Sequence, residues 1–400
     1  MPEREIYLDH NATTPVRPEV AAAMSAVVGD EMLTNPSSVH LAGRKAKRAV
    51  KAARQTVAEA LGAQPTEIVF TGGGSEAINL AIKGIYFCHE AERPHVITTR
   101  IEHPAVLRTC EWLETLGATV TYLPVDNYGF VNPADVEAAI TDRTILVSVM
   151  HANNEVGTIE PIAEIGAITK ARGIPFHVDA VQTLGKVPID VGELGVDLLS
   201  VSAHKIYGPK GIGALYVRTG TNLCPVVHGG GQEAGLRGGT ENVPGIIGFA
   251  EAVRLAVAEM PENDRRYREL RAILTAIPGR LNAVRVNSPD HDCLPHVVNL
   301  SFLYADGMPI IMNLSMKGIY ASVGSACASH EMNPSHVLMA MGLTEKAAFG
   351  SVRFSMGRST TADDLEYVAD QTIAIVEKLR KVTVPESIGK CDENCPCFLD

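Results

Sequence analysis

Short apolar runs alternate with helix-length amphipathic stretches through most of this chain, and that alternation limits the folds open to it. Strand-like runs are EIVFT (67–71), HVITT (95–99), TVTYLPV (119–125), TILVSVM (144–150), PFHVDA (175–180), LLSVSA (198–203) and GALYVR (213–218). Helical patterns lie between them, among them SEAINLAIKGIYFCHEA, HPAVLRTCEWLETLG and IAEIGAITKARG. Strands fed by crossover helices give an α/β fold with a mostly parallel sheet. Ligands of such sheets sit at the carboxyl ends of the strands. The polar residues of interest fall there: Gly72 to Ser75, Glu102 and His103, Asn153 and Asn154, Asp179 and Gln182, and Ser202 to Lys205.

The texture changes after about residue 262. PENDRRYRELRAILTAI reads as a long amphipathic helix, VVNLSFL (297–303) and GSVRFSMG (350–357) as strands, and ADDLEYVADQTIAIVEKLRKV as a final helix. The expected organisation is a large domain over 15–261 and a smaller α+β domain over 262–388, with residues 1–14 packed on the latter. A cysteine-rich tail follows over 389–400. At 400 residues the chain is long enough for two cores. A net charge of −11 argues against direct nucleic-acid binding and suits a soluble, acidic, cytoplasmic protein. No run approaches the about 18 apolar residues of a membrane span, and MPEREIYLDHNATT does not read as a signal peptide. Of the eight cysteines, 88, 110, 224, 293 and 327 are scattered and read as reduced thiols, Cys327 with a role discussed below.

SVSAHKIYGPKG (200–211) carries an ammonium group from an apolar strand onto a glycine-bounded turn. Lys205 could be a surface lysine. A lysine at a strand end inside a site also suits Schiff-base chemistry, because burial frees its amine. Pyridoxal phosphate needs such an amine and an acid for its pyridine nitrogen. Asp179, at a neighbouring strand end, fits that acid, although a helix-capping aspartate would look the same. Gln182 could hydrogen-bond the ring oxygen or be a plain polar residue. TGGGSEAIN places Gly74 and Ser75 at a helix start where free N–H groups favour a phosphate. It has neither the dinucleotide-binding glycine spacing nor a Walker lysine. Ser202 and His204 offer further donors. His103 could stack on the ring, move protons, or be a satisfied structural histidine.

A longer set of motifs carries a family likeness. YLDHNATTPV, NPSSVH, EHPAV, HANNEVGT, HVDAVQTLGKVPID, SAHKIYGPKGIGALYVR, GGGQEAGLRGGTEN, GSACAS and RFSMGR together resemble the NifS/IscS cysteine desulfurases, in order over roughly residues 6 to 380. The resemblance implies the aspartate-aminotransferase-like type I pyridoxal phosphate fold, with a large sheet of the seven-stranded type and a smaller α+β domain. It implies a homodimer and conversion of L-cysteine to L-alanine, with the sulfur left as a persulfide on an enzyme cysteine. By motif, Lys205 resembles the Schiff-base lysine and His103 the ring-stacking histidine. Asp179 and Gln182 match the ring contacts, and Asn154 a cofactor- and substrate-side asparagine. Gly74, Ser75, Ser202 and His204 match phosphate-side positions. Thr240 resembles a threonine that reaches the partner subunit's phosphate, and Arg353 the clamp for the substrate carboxylate. Ser75 departs from the threonine of many relatives, but either hydroxyl donates.

Cys327, in ASVGSACASHEMNPS, sits among small residues, which suit an exposed loop rather than a core. The resemblance makes it the sulfur acceptor, and the length of its loop is closer to the NifS/IscS group than to the shorter SufS form. A NifU/IscU-type scaffold is the implied partner for iron–sulfur assembly. In the tail, Cys391, Cys395 and Cys397 have C-x₃-C-x-C spacing. They could bind zinc or an iron–sulfur cluster, relay sulfur, or be incidental thiols. No fourth ligand is evident in the tail, and Cys327 is a candidate cluster ligand. Rival readings are another type I enzyme, such as an aminotransferase or selenocysteine lyase, and an iron–sulfur binding module centred on the tail.

Overall fold

The computed structural model describes residues 4–30, 34–89, 93–324, 333–383 and 397–399. The chain begins with β1 (Ile6–Tyr7), α1 (Pro18–Val28) and α2 (Leu41–Leu61). Alternation follows: β2 (Ile68–Thr71), α3 (Gly74–Cys88), β3 (His95–Thr99), α4 (Pro104–Thr115), β4 (Thr119–Leu123), α5 (Pro133–Ala139), β5 (Thr144–Met150), α6 (Ile162–Arg172), β6 (Phe176–Asp179), β7 (Leu198–Ser202) and β8 (Gly213–Val217). All seven apolar runs of the first half became strands of one sheet, ordered β2-β8-β7-β6-β5-β3-β4. β8 runs antiparallel to both its neighbours, and the remaining pairings are parallel.

The sheet is buried on both faces, which is why its central strands read as continuous apolar runs rather than alternating ones. Every residue of β5 and β7 is buried. Phe176 and Val178 of β6 join the core beneath α1, α2 and α7, whereas α3 and α4 supply the core on the opposite face. His177 points to that second face. A buried imidazole is tolerated there because Ser148 Oγ at 2.8 Å and Ser200 Oγ at 2.9 Å meet both ring nitrogens. Burial holds this histidine neutral, down to about 3.

α7 (Val243–Thr275) runs unbroken through Pro261, where the sequence suggested a helix beginning afresh. Proline removes one intrahelical bond. The loss is outweighed because both halves are anchored, Phe249 and Val253 in the large core and Leu270 and Leu274 in a second one. Around that second core lie β9 (Val284–Val286), β10 (Val297–Phe302), α8 (Gly307–Met316), β11 (Ile319–Tyr320), β12 (Ser351–Ser355) and α11 (Ala362–Thr383), whereas α9 (His336–Ala340) and α10 (Glu345–Phe349) pack in a separate cluster with Ile101 and Met150. β12, β10 and β9 form an antiparallel sheet, and β1 pairs in parallel with β11. Ile6 and Leu8 are buried in this core, as expected of an N-terminus packed on the smaller unit.

One expectation is overturned. Cys88 and Cys224, read as reduced thiols, form a disulfide. The spacing of 136 residues gave no local cue. The pairing arises because the end of α3 lies beside the loop after β8, where Cys224 N–H also donates to Gly84 O at 3.1 Å. Cys110 and Cys293 are buried free thiols. Cys327, Cys391 and Cys395 lie outside the described residues. Cys397 is an exposed thiol, and the next residue, Phe398, is fully buried against Ile101, Met150 and Leu338. Thr344 N–H donates to Phe398 O at 2.9 Å, which fixes this end of the chain. Among the described residues no group of three or more metal-ligating side chains is arranged to hold an ion. No described helix is long and apolar enough to cross a membrane.

Candidate active site

The parallel strands end along one edge, and their carboxyl ends open on a cleft of about 690 Å³. Of the residues singled out in the sequence, Gly74, Ser75, His103, Asn154, Asp179, Gln182, Ser202, His204, Lys205 and Arg353 all line it.

Lys205 follows β7 on a short 3-10 turn, Ala203–Lys205. The turn aims its side chain back across the sheet edge, where Nζ donates to Asn11 O at 2.5 Å and Ala12 O at 2.8 Å. Asp179 closes β6. One carboxylate oxygen accepts Val181 N–H at 3.0 Å. Burial pushes its acid up to about 6, against the opposing pull of Lys205. A buried acid and an amine on one cleft are what a ring nitrogen and the aldehyde on the same ring respectively require.

The phosphate side also fits. Helix α3 starts at Gly74 with no side chain capping its free N–H groups, so its positive end faces the cleft. Gly73 has φ +147°, which favours glycine, and a Cβ there would meet nothing within 4 Å. A Cβ on Gly74 would lie 2.7 Å from Val181 Cγ2, so the helix end can approach the sheet only as glycine. Ser202 Oγ is buried without a hydrogen-bond partner. An orphaned hydroxyl beside an uncapped helix end is the unmet demand that a phosphate would satisfy. Ser75 is exposed at this mouth. His204 Nδ1 lies 3.1 Å from Thr13 Oγ1 and is held neutral, to about 4, by burial and then by Lys205.

His103 is the N-cap of α4, its Nδ1 accepting Ala105 N–H at 3.0 Å. Its Nδ1 therefore carries no proton. Burial first, then Lys205 and His336, bring it down to about 4. Gln182 Nε2 donates to Asn11 O at 3.1 Å. Asn154 O accepts from Asn11 Nδ2 at 2.9 Å and from Arg353 Nη1 at 3.1 Å. Arg353, on β12, is 2% exposed. Its Nη2 pairs with Asp9 at 2.6 Å, and its Nε is buried without a partner. One donor of the guanidinium fork therefore remains to be met. Asn153, marked alongside Asn154, is structural: its amide bonds Ile101 O, Glu155 N and Val156 N. Thr240 is exposed and does not line this cleft.

Sequence reasoning missed the part played by the N-terminal strand. Asn11 bonds Asn154, Gln182, Lys205 and His296, and Ser355 Oγ accepts its N–H. YLDHNATTPV was visible as a motif, yet only the pairing of β1 with β11 carries it to the sheet edge. His336 and Glu155 were missed as well. His336 Nε2 lies 3.0 Å from Glu102 O, and Ser335 Oγ donates to Glu155 at 2.6 Å. Glu102, fully buried behind His103, has its acid raised well above the usual range by burial, and one carboxyl oxygen lacks a partner. Gly324 and His336, described residues on the two sides of Cys327 in sequence, both line the cleft.

A mostly parallel sheet with an amine, a buried acid and an open helix end at its carboxyl edge defines a pyridoxal phosphate type of site. The chain belongs to the class-V aminotransferase family, whose sequence model matches residues 6–368. It is 50% identical over 382 residues to the cysteine desulfurase IscS of Dictyoglomus turgidum, an alignment covering 95% of this chain and 97% of that one. Among solved structures it resembles a NifS-like protein, with a TM-score of 0.86, 38% identity and 95% and 99% of the two chains covered. It also resembles SspA in complex with cysteine, with a TM-score of 0.77, 41% identity and coverage of 88% and 98%.

Proposed function

We propose that this chain is a pyridoxal phosphate-dependent cysteine desulfurase that converts L-cysteine to L-alanine and takes the sulfur onto Cys327 as a persulfide. The observation that carries the reading is the convergence of Lys205, Asp179, the open end of α3 and Arg353 on one cleft. The near-full-length likeness to IscS supports the same activity. Overall, cysteine and one enzyme thiol give alanine and one enzyme persulfide, so no external oxidant is needed.

When bound, pyridoxal phosphate supplies an electron sink for the substrate α-carbon. The chain's own groups do the rest. Lys205 supplies the amine that holds the cofactor and then moves the α-proton at Nζ. Asp179 holds a proton on the pyridine nitrogen, and Gln182 donates to the ring oxygen. Gly74, Ser75, Ser202 and His204 hold the phosphate. Arg353 binds the substrate carboxylate through the fork whose Nε is unmet. Asn154 borders both cofactor and substrate. His103, without a proton on Nδ1, packs on the ring face and can exchange protons there.

Residues 15–261 form the cofactor-binding domain in this reading, and 1–14 with 262–388 the smaller one. The division is supported by two separate cores bridged by α7. The exposure of Thr240 supports the reading of a homodimer in which it reaches a second copy's phosphate. A NifU/IscU-type scaffold is the acceptor we favour. The tail cysteines are candidate ligands for a metal or cluster, which metal analysis of protein lacking 391–400 would test. The cytoplasm is the expected location. The function itself is tested by exposing purified protein to pyridoxal phosphate and L-cysteine without a keto acid. Alanine should form, and mass spectrometry should place one added sulfur on Cys327. Alanine formation that persists undiminished in Cys327→Ala would sink the assignment.

A further inference from the structure

HANNEVGT contains an acid that the reaction above leaves without a task, Glu155. It is 3% exposed and lies on the loop after β5. Asn153 Oδ1 accepts its N–H at 2.8 Å, and Asn299 Nδ2 of β10 donates to its carbonyl at 3.3 Å. Its backbone is therefore fixed from both sides, and only the side chain is left to reach outward.

The carboxylate meets two residues that flank Cys327 along the chain. Ser335 Oγ donates to Glu155 Oε2 at 2.6 Å, in the short range of a hydroxyl bound to a carboxylate. The same hydroxyl accepts Leu338 N–H at 3.3 Å and so caps α9. Gly324 packs on that same carboxylate oxygen: a Cβ there would overlap Oε2 and stand 3.5 Å from Ser335 Cβ. The φ of Gly324 lies outside the left-handed region, so this close approach, and not the backbone, calls for glycine. Just before Gly324, Ser322 and Arg353 exchange backbone hydrogen bonds at 3.2 and 2.7 Å, and Arg353 Nη1 donates to Asn154 O. Asn154 and Glu155 thus fasten, in turn, the substrate clamp and the chain that leads from it toward Cys327. Cys327 follows Gly324 by three residues, so covalent geometry keeps its Cα within about 11 Å of Gly324's. From Ser335 the limit is about 29 Å. Gly324 is the short tether, and Ser335 holds the carboxylate that places it.

We infer that Glu155 is a positioning residue for sulfur transfer: braced by Ser335, its carboxylate sets where Gly324 stands and so keeps the Cys327 thiol within reach of the substrate sulfur. The inference rests on the cysteine desulfurase reading for the role of Cys327, whereas the brace itself does not.

In pyridoxal phosphate-loaded protein, Glu155→Ala should lower kcat for alanine, and the rate of persulfide formation on Cys327, by about 10- to 100-fold. The L-cysteine concentration that half-changes the visible absorption should move by less than about 2-fold, because the groups that bind substrate are untouched. Glu155→Gln keeps an acceptor oxygen for Ser335 and should recover much of the rate. Gly324→Ala should displace the carboxylate and cost a similar factor alone, but less than about 2-fold more in the Glu155→Ala background. In cofactor-free protein, amide exchange over residues 335–341 should quicken by about 10-fold in both single variants. Full kcat in folded Glu155→Ala overturns the proposal, as does a loss that falls on L-cysteine affinity instead, a double variant whose losses multiply, or unchanged exchange in both single variants. If Glu155→Ala does not fold, undiminished kcat in Gly324→Ala overturns it. Exchange needs neither cofactor nor turnover, so failure of the brace is distinct from failure to desulfurate cysteine.

Discussion

Asp179 is buried at 5% exposure with its acid raised to about 6. In the cofactor-free protein a raised acid contributes stability that is full below its unfolded value of about 3.9 and is lost as pH rises through about 6. Asp179→Asn removes that loss. The cofactor-free variant should resist urea better than wild type at pH 8, by up to about 3 kcal/mol, with the gap closing below pH 4. The same variant should bind pyridoxal phosphate poorly and desulfurate little, because an amide cannot hold the ring proton. Arg353 offers a second test at this scale. Arg353→Lys keeps the charge and loses the fork, so KM for L-cysteine should rise about 10- to 100-fold with a smaller fall in kcat. Lys205 and Asp179 were legible because each is a charged residue at the end of an apolar run, whereas Arg353, in the middle of β12, was legible only through the family resemblance. Asn11 and His336 were not, because nothing in their own neighbourhood marks them as facing a cleft.

At the scale of elements, the phosphate end depends on how closely α3 meets the sheet. Gly74→Val would set a Cβ 2.7 Å from Val181 Cγ2 and tilt the helix start away from Ser202. Affinity for pyridoxal phosphate, measured by fluorescence titration, should fall by about 10-fold or more, while the far-ultraviolet spectrum stays unchanged. α9 tests the opposite end of the cleft. It is only five residues long, too short to hold its shape unaided, and is braced by Phe398 from the chain's last residues. Phe398→Ala should lower stability by about 3 kcal/mol or more and loosen His336, which calorimetry and activity together would register. The helices and strands themselves were legible from their periods and from terminal glycines such as Gly173, which caps α6 with φ 65°. The brace was not, since a lone phenylalanine in a cysteine-rich tail carries no periodic signal.

For the whole molecule, the Cys88–Cys224 disulfide closes a loop of 136 residues and ties the rear of α3 to the chain beyond β8. In the chain-entropy account such a loop is worth up to about 5 kcal/mol. A thiol reductant should therefore lower the melting temperature of wild type, and Cys88→Ser should be insensitive to it. Equal melting with and without reductant, in protein whose thiols have been counted, would count against the tie.

The periodic pattern of apolar residues was enough to specify the α/β class, the strand runs of the main sheet and the edge at which chemistry would gather, because burial on two faces writes itself into local composition. The motifs were enough to nominate Lys205 and its acid. Only the folded chain decided that the N-terminal strand brings Asn11 to Lys205, that Cys88 finds Cys224, and that Phe398 braces α9. Those contacts join residues far apart along the chain, and their energies come from packing and desolvation at the meeting point, which no single stretch of sequence contains.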